Sequence, residues 1–324
     1  MTRTPSLAAV LALLAFALLP ALARADDSPE HPPGSQLGPP RIDLLKDAQV
    51  TPDPDGGYFL TGTAATLDKT GKPDFDYNRG APLFHSADLK TWKPLGYAWD
   101  RVEHFQRTRG RPKIGVWLDW SAPAGRIDAL LAHATTSPRL YRVGKDWFIL
   151  CAMNGQNIIV QKSASGKPDG PCRDYAYLVT RGGHPSLFTD SDGAHYLLYA
   201  DAWLAPLAPD FTKLTAEPRP LLPKTAETPG EAPLTLGERG AALFKHDGRY
   251  CLFAARRLVR DGKPAHDAFL WTAPKLFGPY SPTAVVLHDT GPVTVFQDPD
   301  GAWHAVSSRP APDGPRILLI PAKP

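Results

Sequence analysis

Cysteine and methionine are scarce in this chain, with three of the first and two of the second in 324 residues. Three thiols cannot all pair, and no Cys-x-x-Cys or Cys/His ligand spacing is present, so neither a disulfide scaffold nor a structural zinc site is expected to organise the fold. Cys151 and Cys251 fall inside apolar runs and read as buried thiols, while a Cys151–Cys172 bridge stays open as an alternative in an oxidising compartment. Excess charge is missing as well. The 36 basic and 33 acidic side chains leave a formal charge of +3, which falls to +1 once Arg3 and Arg24 are removed. That balance provides no global basic field and excludes a nucleic-acid partner of the usual kind. Beyond residue 25 no apolar run is long enough to span a bilayer, so no membrane span is expected in the mature chain.

Three segments are present. Arg3, the apolar run Leu7 to Leu22 and the small residues Ala23-Arg24-Ala25 read as a secretory signal peptide over residues 1–25. The protein is therefore expected to be secreted or periplasmic. Residues 26–40 are proline-rich and form a tether. Residues 41–324 carry evenly placed repeats with no internal linker, and are expected to form one domain and a monomer. The 36 prolines and 27 glycines suit a chain of strands and turns.

The repeat is a turn of Asp, Gly or Lys followed by an aromatic that opens an apolar run. It occurs at Asp55-Gly56-Gly57-Tyr58, Gly144-Lys145-Asp146-Trp147, Asp192-Gly193-Ala194-His195-Tyr196, Asp247-Gly248-Arg249-Tyr250 and Asp300-Gly301-Ala302-Trp303. Successive aromatics at 58, 147, 196, 250 and 303 are separated by 89, 49, 54 and 53 residues, so the first gap is one period plus an insertion. A period of about 50 residues with hairpin chemistry in each copy predicts an all-β, five-bladed β-propeller. The run before each turn is the innermost strand, as in Ser137 to Tyr141, Pro185 to Phe188, Ala241 to Phe244 and Val293 to Phe296, and the run after it is the second strand.

Lys46-Asp47-Ala48 with Asp55 to Thr63, Ser86-Ala87-Asp88-Leu89-Lys90-Thr91-Trp92, Pro185 to Gly193 and Phe277-Gly278-Pro279-Tyr280 resemble the five-bladed glycosidases of glycoside hydrolase family 43 and its arabinanase- and xylosidase-like relatives. Ser86 to Trp92 lacks the glycine and spacing of a sialidase Asp box, which leaves sialidase as a minor alternative. The resemblance implies inverting hydrolysis at an axial pocket where the inner strands begin. A general base Asp stands ahead of the blade-one strand, a modulating Asp ahead of blade three and a general acid Glu ahead of blade four. Inversion needs a protonated group at the leaving oxygen and an ionised carboxylate about 6.5–9.5 Å away to activate water.

Asp47 stands at the base position. His184 replaces the modulating Asp, Arg239 falls at the acid position with Glu238 one residue early, and Ser137-Pro138-Arg139 stands where the family often has Ala-Pro-Glu. Gly291-Pro292 stands where many members have Gly-His, so no cofactor is expected and the resemblance gives little support to an axial calcium. Glu238 beside Arg239 makes a poor acid, because a neighbouring cation lowers a carboxyl pKa. His184 is a reasonable substitute, since histidine titrates near neutrality. In a related propeller family that cleaves agar-derived oligosaccharides a histidine is implicated as the acid.

The catalytic candidates are thus Asp47, His184 and Glu238. Arg139 and Arg239 suit an anionic group on the sugar. The insertion between Tyr97 and Asp128 offers Trp99, Trp117 and Trp120 as stacking faces among Arg101, Arg107, Arg109, Arg111 and Lys113. Structural readings stand beside these: Asp47 as a turn cap, His184 as a satisfied turn histidine, the arginines in buried ion pairs, and the basic run as a solvated loop. The expected partner is a plant- or algal-type carbohydrate, anionic if the arginines face the axis. The function is inverting hydrolysis or, alternatively, binding by a propeller that has lost its acid.

Overall fold

The computed structural model describes residues 39–68, 70–76, 78–100, 103–104, 135–153, 157–179, 182–200, 202–221, 240–260, 262–288, 290, 293–307 and 315–320. The chain separates into residues 1–31 and 32–324, and every described residue lies in the second unit.

Five antiparallel sheets follow one another along the sequence. Blade one holds β1 (Leu45–Pro52) and β2 (Tyr58–Ala64), then a small ribbon of β3 (Thr66–Leu67) and β4 (Pro73–Asp74), then β5 (Gly80–Ser86) and β6 (Lys93–Asp100). Blade two is β7 (Thr135–Val143), β8 (Asp146–Met153), β9 (Asn157–Ser163) and β10 (Cys172–Val179). Blade three is β11 (Ser186–Thr189), β12 (His195–Tyr199), β13 (Trp203–Leu207) and β14 (Arg219–Pro220). Blade four is β15 (Ala241–His246), β16 (Arg249–Arg260), β17 (Lys263–Ala273) and β18 (Ser281–Leu287). Blade five shows β19 (Val293–Gln297), β20 (Trp303–Ser307) and β21 (Arg316–Leu319) among the described residues. Each repeat aromatic falls at or beside the start of its second strand, and each preceding run is innermost, as the sequence predicts.

The hairpin joining the first two strands of a blade follows from its sequence. In blades one, three and five the backbone N–H of Asp53, Asp190 and Asp298 donates to the carbonyl four residues on, and the N–H of Gly56, Gly193 and Gly301 donates back to the same Asp. Those glycines sit at φ of +110°, +83° and +86°, a region where a side chain is strained.

A hydrophobic cluster fills each of the five gaps between neighbouring blades. Leu83 and Trp99 meet Ile149 and Cys151 between blades one and two, Leu150 and Ile158 meet Leu197 between two and three, and Leu198 and Leu204 meet Leu243 and Trp271 between three and four. Phe253 and Leu270 meet Val293 between four and five, and Phe296 and Val306 meet Val50 and Leu60 to close the ring. Both faces of a blade are therefore packed, which is why Trp147 to Met153 is buried without alternation.

Side chains tie the inner strands where no ladder joins them. Gln49 donates through Nε2 to the Leu140 carbonyl at 3.1 Å and accepts the Leu140 N–H through Oε1 at 2.9 Å. Leu187 N–H donates to Tyr141 Oη at 3.0 Å, and Thr294 Oγ1 donates to the Ala48 carbonyl at 2.9 Å.

One expectation needs correction. Trp99 is not a sugar platform: it is 2% exposed, on β6, packed in the core between blades one and two, because the gap where β6 meets β10 needs a large apolar group. Cys151 and Cys251 are buried thiols as read, and of the two alternatives left open for Cys172 the free thiol is found: all three are free and buried. Burial drives their pKa values upward, to about 12 at Cys172 and about 11 at Cys251.

Candidate active site

Three of the five inner strands begin with the same local distortion. Asp47, Ser137 and His184 have φ of 54°, 47° and 51°, left-handed values that non-glycine residues adopt rarely and mostly at sites the surroundings over-determine. In blade four the matching position is Gly240, at φ +98°. In blade one the register shifts between Lys46 and Gln49, so Asp47 and Ala48 lie opposite the single residue Gly62. The same shift between Thr136 and Arg139 sets Ser137 and Pro138 opposite Cys151. Such bulges re-aim side chains at the end of a strand. The bulge also explains Gly62, where a Cβ would lie 2.7 Å from the Lys46 carbonyl oxygen.

The result is one hydrogen-bonded chain across three blades. Thr63 Oγ1 donates to Asp47 Oδ2 at 2.7 Å and accepts the Ser137 N–H at 2.7 Å. Ser137 Oγ lies 2.8 Å from His184 Nδ1. Thr63 and Ser137 are fully buried, Asp47 is 5% exposed and His184 is half-buried. Because a backbone N–H interrupts the chain, it does not conduct protons and acts by fixing orientation. Asp47 and His184 are thus joined in one hydrogen-bonded group. Thr63 and Ser137 were missed, being small polar residues within apolar runs; their only signal was adjacency to Gly62 and Pro138.

Arg139 follows the blade-two bulge and is 3% exposed. A Cβ on Gly240 would lie 3.1 Å from Arg139 Nη2 and 3.3 Å from His184 Cβ, so guanidinium and imidazole flank the bare glycine backbone. Glu238, Arg239, Trp117, Trp120, Pro292 and the basic residues from Arg101 to Lys113 lie outside the described residues.

Beneath Arg139 an axial cavity of about 350 Å³ runs between the inner strands to the hairpin-turn end, where Ser191, Lys245 and Gln297 line it. Asp190 sits there too. Burial raises its pKa, but hydrogen bonds from Tyr250, the Ser191 N–H and Lys245 outweigh that, and the net shift is downward. Lys245 Nζ is 3.1 Å and Tyr250 Oη 2.6 Å from the Asp190 carboxylate, linking blades three and four. Two cations against one carboxylate oppose a calcium ion in this cavity, and among the described residues no group of three His, Cys, Asp or Glu could hold a metal.

The sequence profile described as Glycosyl hydrolases family 43 matches residues 46–317. A protein of Escherichia coli (strain K12) named "Putative beta-xylosidase" is 27% identical over 202 residues, covering 56% of this chain and 32% of that protein. A mutant of a GH43 protein from Bacillus licheniformis superposes with TM-score 0.57 at 21% identity, covering 86% of this chain and 53% of the other. An endo-arabinase from Bacteroides thetaiotaomicron superposes with TM-score 0.60 at 16% identity, covering 87% and 97%. The chain thus spans about a third of its curated relative and about half of the Bacillus protein. At these identities the superpositions show the shared fold.

Proposed function

This chain belongs to glycosyl hydrolase family 43, and from that membership we propose that it cleaves glycosidic bonds with inversion, Asp47 acting as general base and His184 as general acid. The observation that carries this reading is the hydrogen-bonded chain joining Asp47 and His184 through Thr63 and Ser137, at backbone positions strained alike. Asp47 takes a proton from water as the water oxygen bonds to the anomeric carbon. His184 delivers its proton to the departing glycosidic oxygen as the carbon–oxygen bond breaks. One group gains and the other loses a proton, and exchange with solvent resets both. Ser137 Oγ accepts from Nδ1–H of the imidazolium, so the proton for the leaving group rides on Nε2.

The substrate class proposed is plant- or algal-type oligosaccharide or polysaccharide. The names of the relatives, xylosidase and arabinase, put xylo- and arabino-oligosaccharides first in any panel. A preference for acidic glycans is supported by Arg239 and the basic run Arg101 to Lys113 in the sequence. Arg139, 3% exposed, has little surface to offer a sugar and does not add to it. Action outside the cytoplasm is supported by the composition of residues 1–25.

The test is incubation with neutral, uronic and sulfated oligosaccharides, following product release and melting temperature in the same wells. Release from at least one member is expected. A melting shift without release from any would replace hydrolysis by binding.

Ser137→Gly keeps the backbone angle and removes Oγ. It is expected to lower kcat about tenfold with KM little changed, since orientation of the acid matters in the transition state. An unchanged kcat would remove Ser137 from the positioning role.

A further inference from the structure

Among the described residues Arg139 is a charge with no counterpart. Its Nε is buried without a hydrogen-bond partner, and among the described residues the guanidinium makes no ion pair. A buried cation without a counter-charge is strongly disfavoured, so such a site calls for an anion. The cavity under it is accessible from the hairpin-turn end, where Ser191 and Gln297 are exposed, opposite to Asp47 and His184. Its charged lining is Arg139 and Lys245 against Asp190, one positive charge in excess. Lys245 is held protonated by its hydrogen bond to Asp190.

We propose that this axial cavity is a second ligand site, separate from the sugar site, which takes a small oxyanion onto Arg139 from the hairpin-turn face. The guanidinium offers its terminal Nη donors, which match a carboxylate or sulfate with charge-assisted hydrogen bonds, while the buried Nε leaves its charge uncompensated among the described residues. A volume of about 350 Å³ is at the lower end of small-molecule pockets and admits a monosaccharide acid as well as an inorganic ion. Leu187, Phe188, Leu243 and Phe244 line the cavity from the inner strands of blades three and four.

The experiment follows the melting temperature of the whole chain during titration with sodium glucuronate, sodium sulfate or, as neutral control, glucose, at matched ionic strength. Either anion is expected to raise it by about 5 °C at a hundredfold excess over its dissociation constant, and glucose to leave it unchanged. A response to glucuronate alone identifies an organic acid as the ligand, and a response to both identifies any oxyanion. Arg139→Met is expected to abolish the response and to melt no lower than the wild type in anion-free buffer. Asp47→Asn is expected to keep the full response, which separates the cavity from the sugar site whether or not the chain hydrolyses anything. Should Arg139→Met fail to fold, Ser191→Asp at the mouth is expected to weaken the anion about tenfold. Absence of any anion response overturns the proposal, as does a response that survives Arg139→Met or is lost in Asp47→Asn. A response found only in Glu238→Gln also overturns it, because Glu238 is then the counter-charge.

Discussion

Asp47→Asn is expected to lower kcat by about 10²–10⁴-fold while leaving the melting temperature and sugar binding close to those of the wild type. Asparagine is the right replacement for two reasons. Its carbonyl oxygen still accepts the hydrogen bond that Thr63 Oγ1 gives to Asp47 Oδ2 at 2.7 Å, so no buried hydroxyl loses its partner. It also tolerates the left-handed backbone at φ 54°, where alanine is strained. What the variant lacks is the capacity to take a proton from water. Steady-state kinetics on the best substrate, with calorimetric binding of the same sugar, separates the two effects. A variant within twofold of the wild type in kcat would show that Asp47 only supports the bulge.

His184→Asn is expected to lower kcat by a similar factor on unactivated glycosides and by much less on an aryl glycoside whose leaving group departs without a proton. His184 occupies φ 51°, which asparagine again accepts. The pH profile carries the sign. An acid must be protonated to act, so the alkaline limb of kcat/KM should vanish in the variant. The acidic limb, set by the base, should remain. Equal losses on both classes of substrate, with the alkaline limb intact, would place the acid elsewhere, with Glu238 the next residue to test.

The propeller was legible because its signals are local. Asp-Gly hairpins recur at nearly constant spacing, and the aromatics after them open second strands whose runs are apolar on both faces. Asp47 and His184 were legible from their place ahead of inner strands. Three other features were not. Trp99 looked available because aromatics near basic residues suit both a sugar platform and an inter-blade core, and only packing against blade two decides between them. The bulges at Asp47-Ala48 and Ser137-Pro138 depend on pairing with β2 and β8, partners that the linear pattern does not reveal. Blade four shows the cost of that. Its left-handed position is Gly240, in register with Asp47, Ser137 and His184, and Arg239 precedes it. Arg139 illustrates a different gap, for its type announced an anion while its burial and the cavity it lines depend on how the inner strands pack.

Inversion at the site built around Asp47 and His184 is tested most directly by proton NMR of the anomeric signal during the first minutes of hydrolysis of the best xylo-, arabino- or uronic oligosaccharide in the panel. The expected result is a first product of configuration opposite to that of the cleaved bond, which mutarotates only later. A first product of retained configuration, or binding of every candidate sugar with no anomeric product at all, would contradict it.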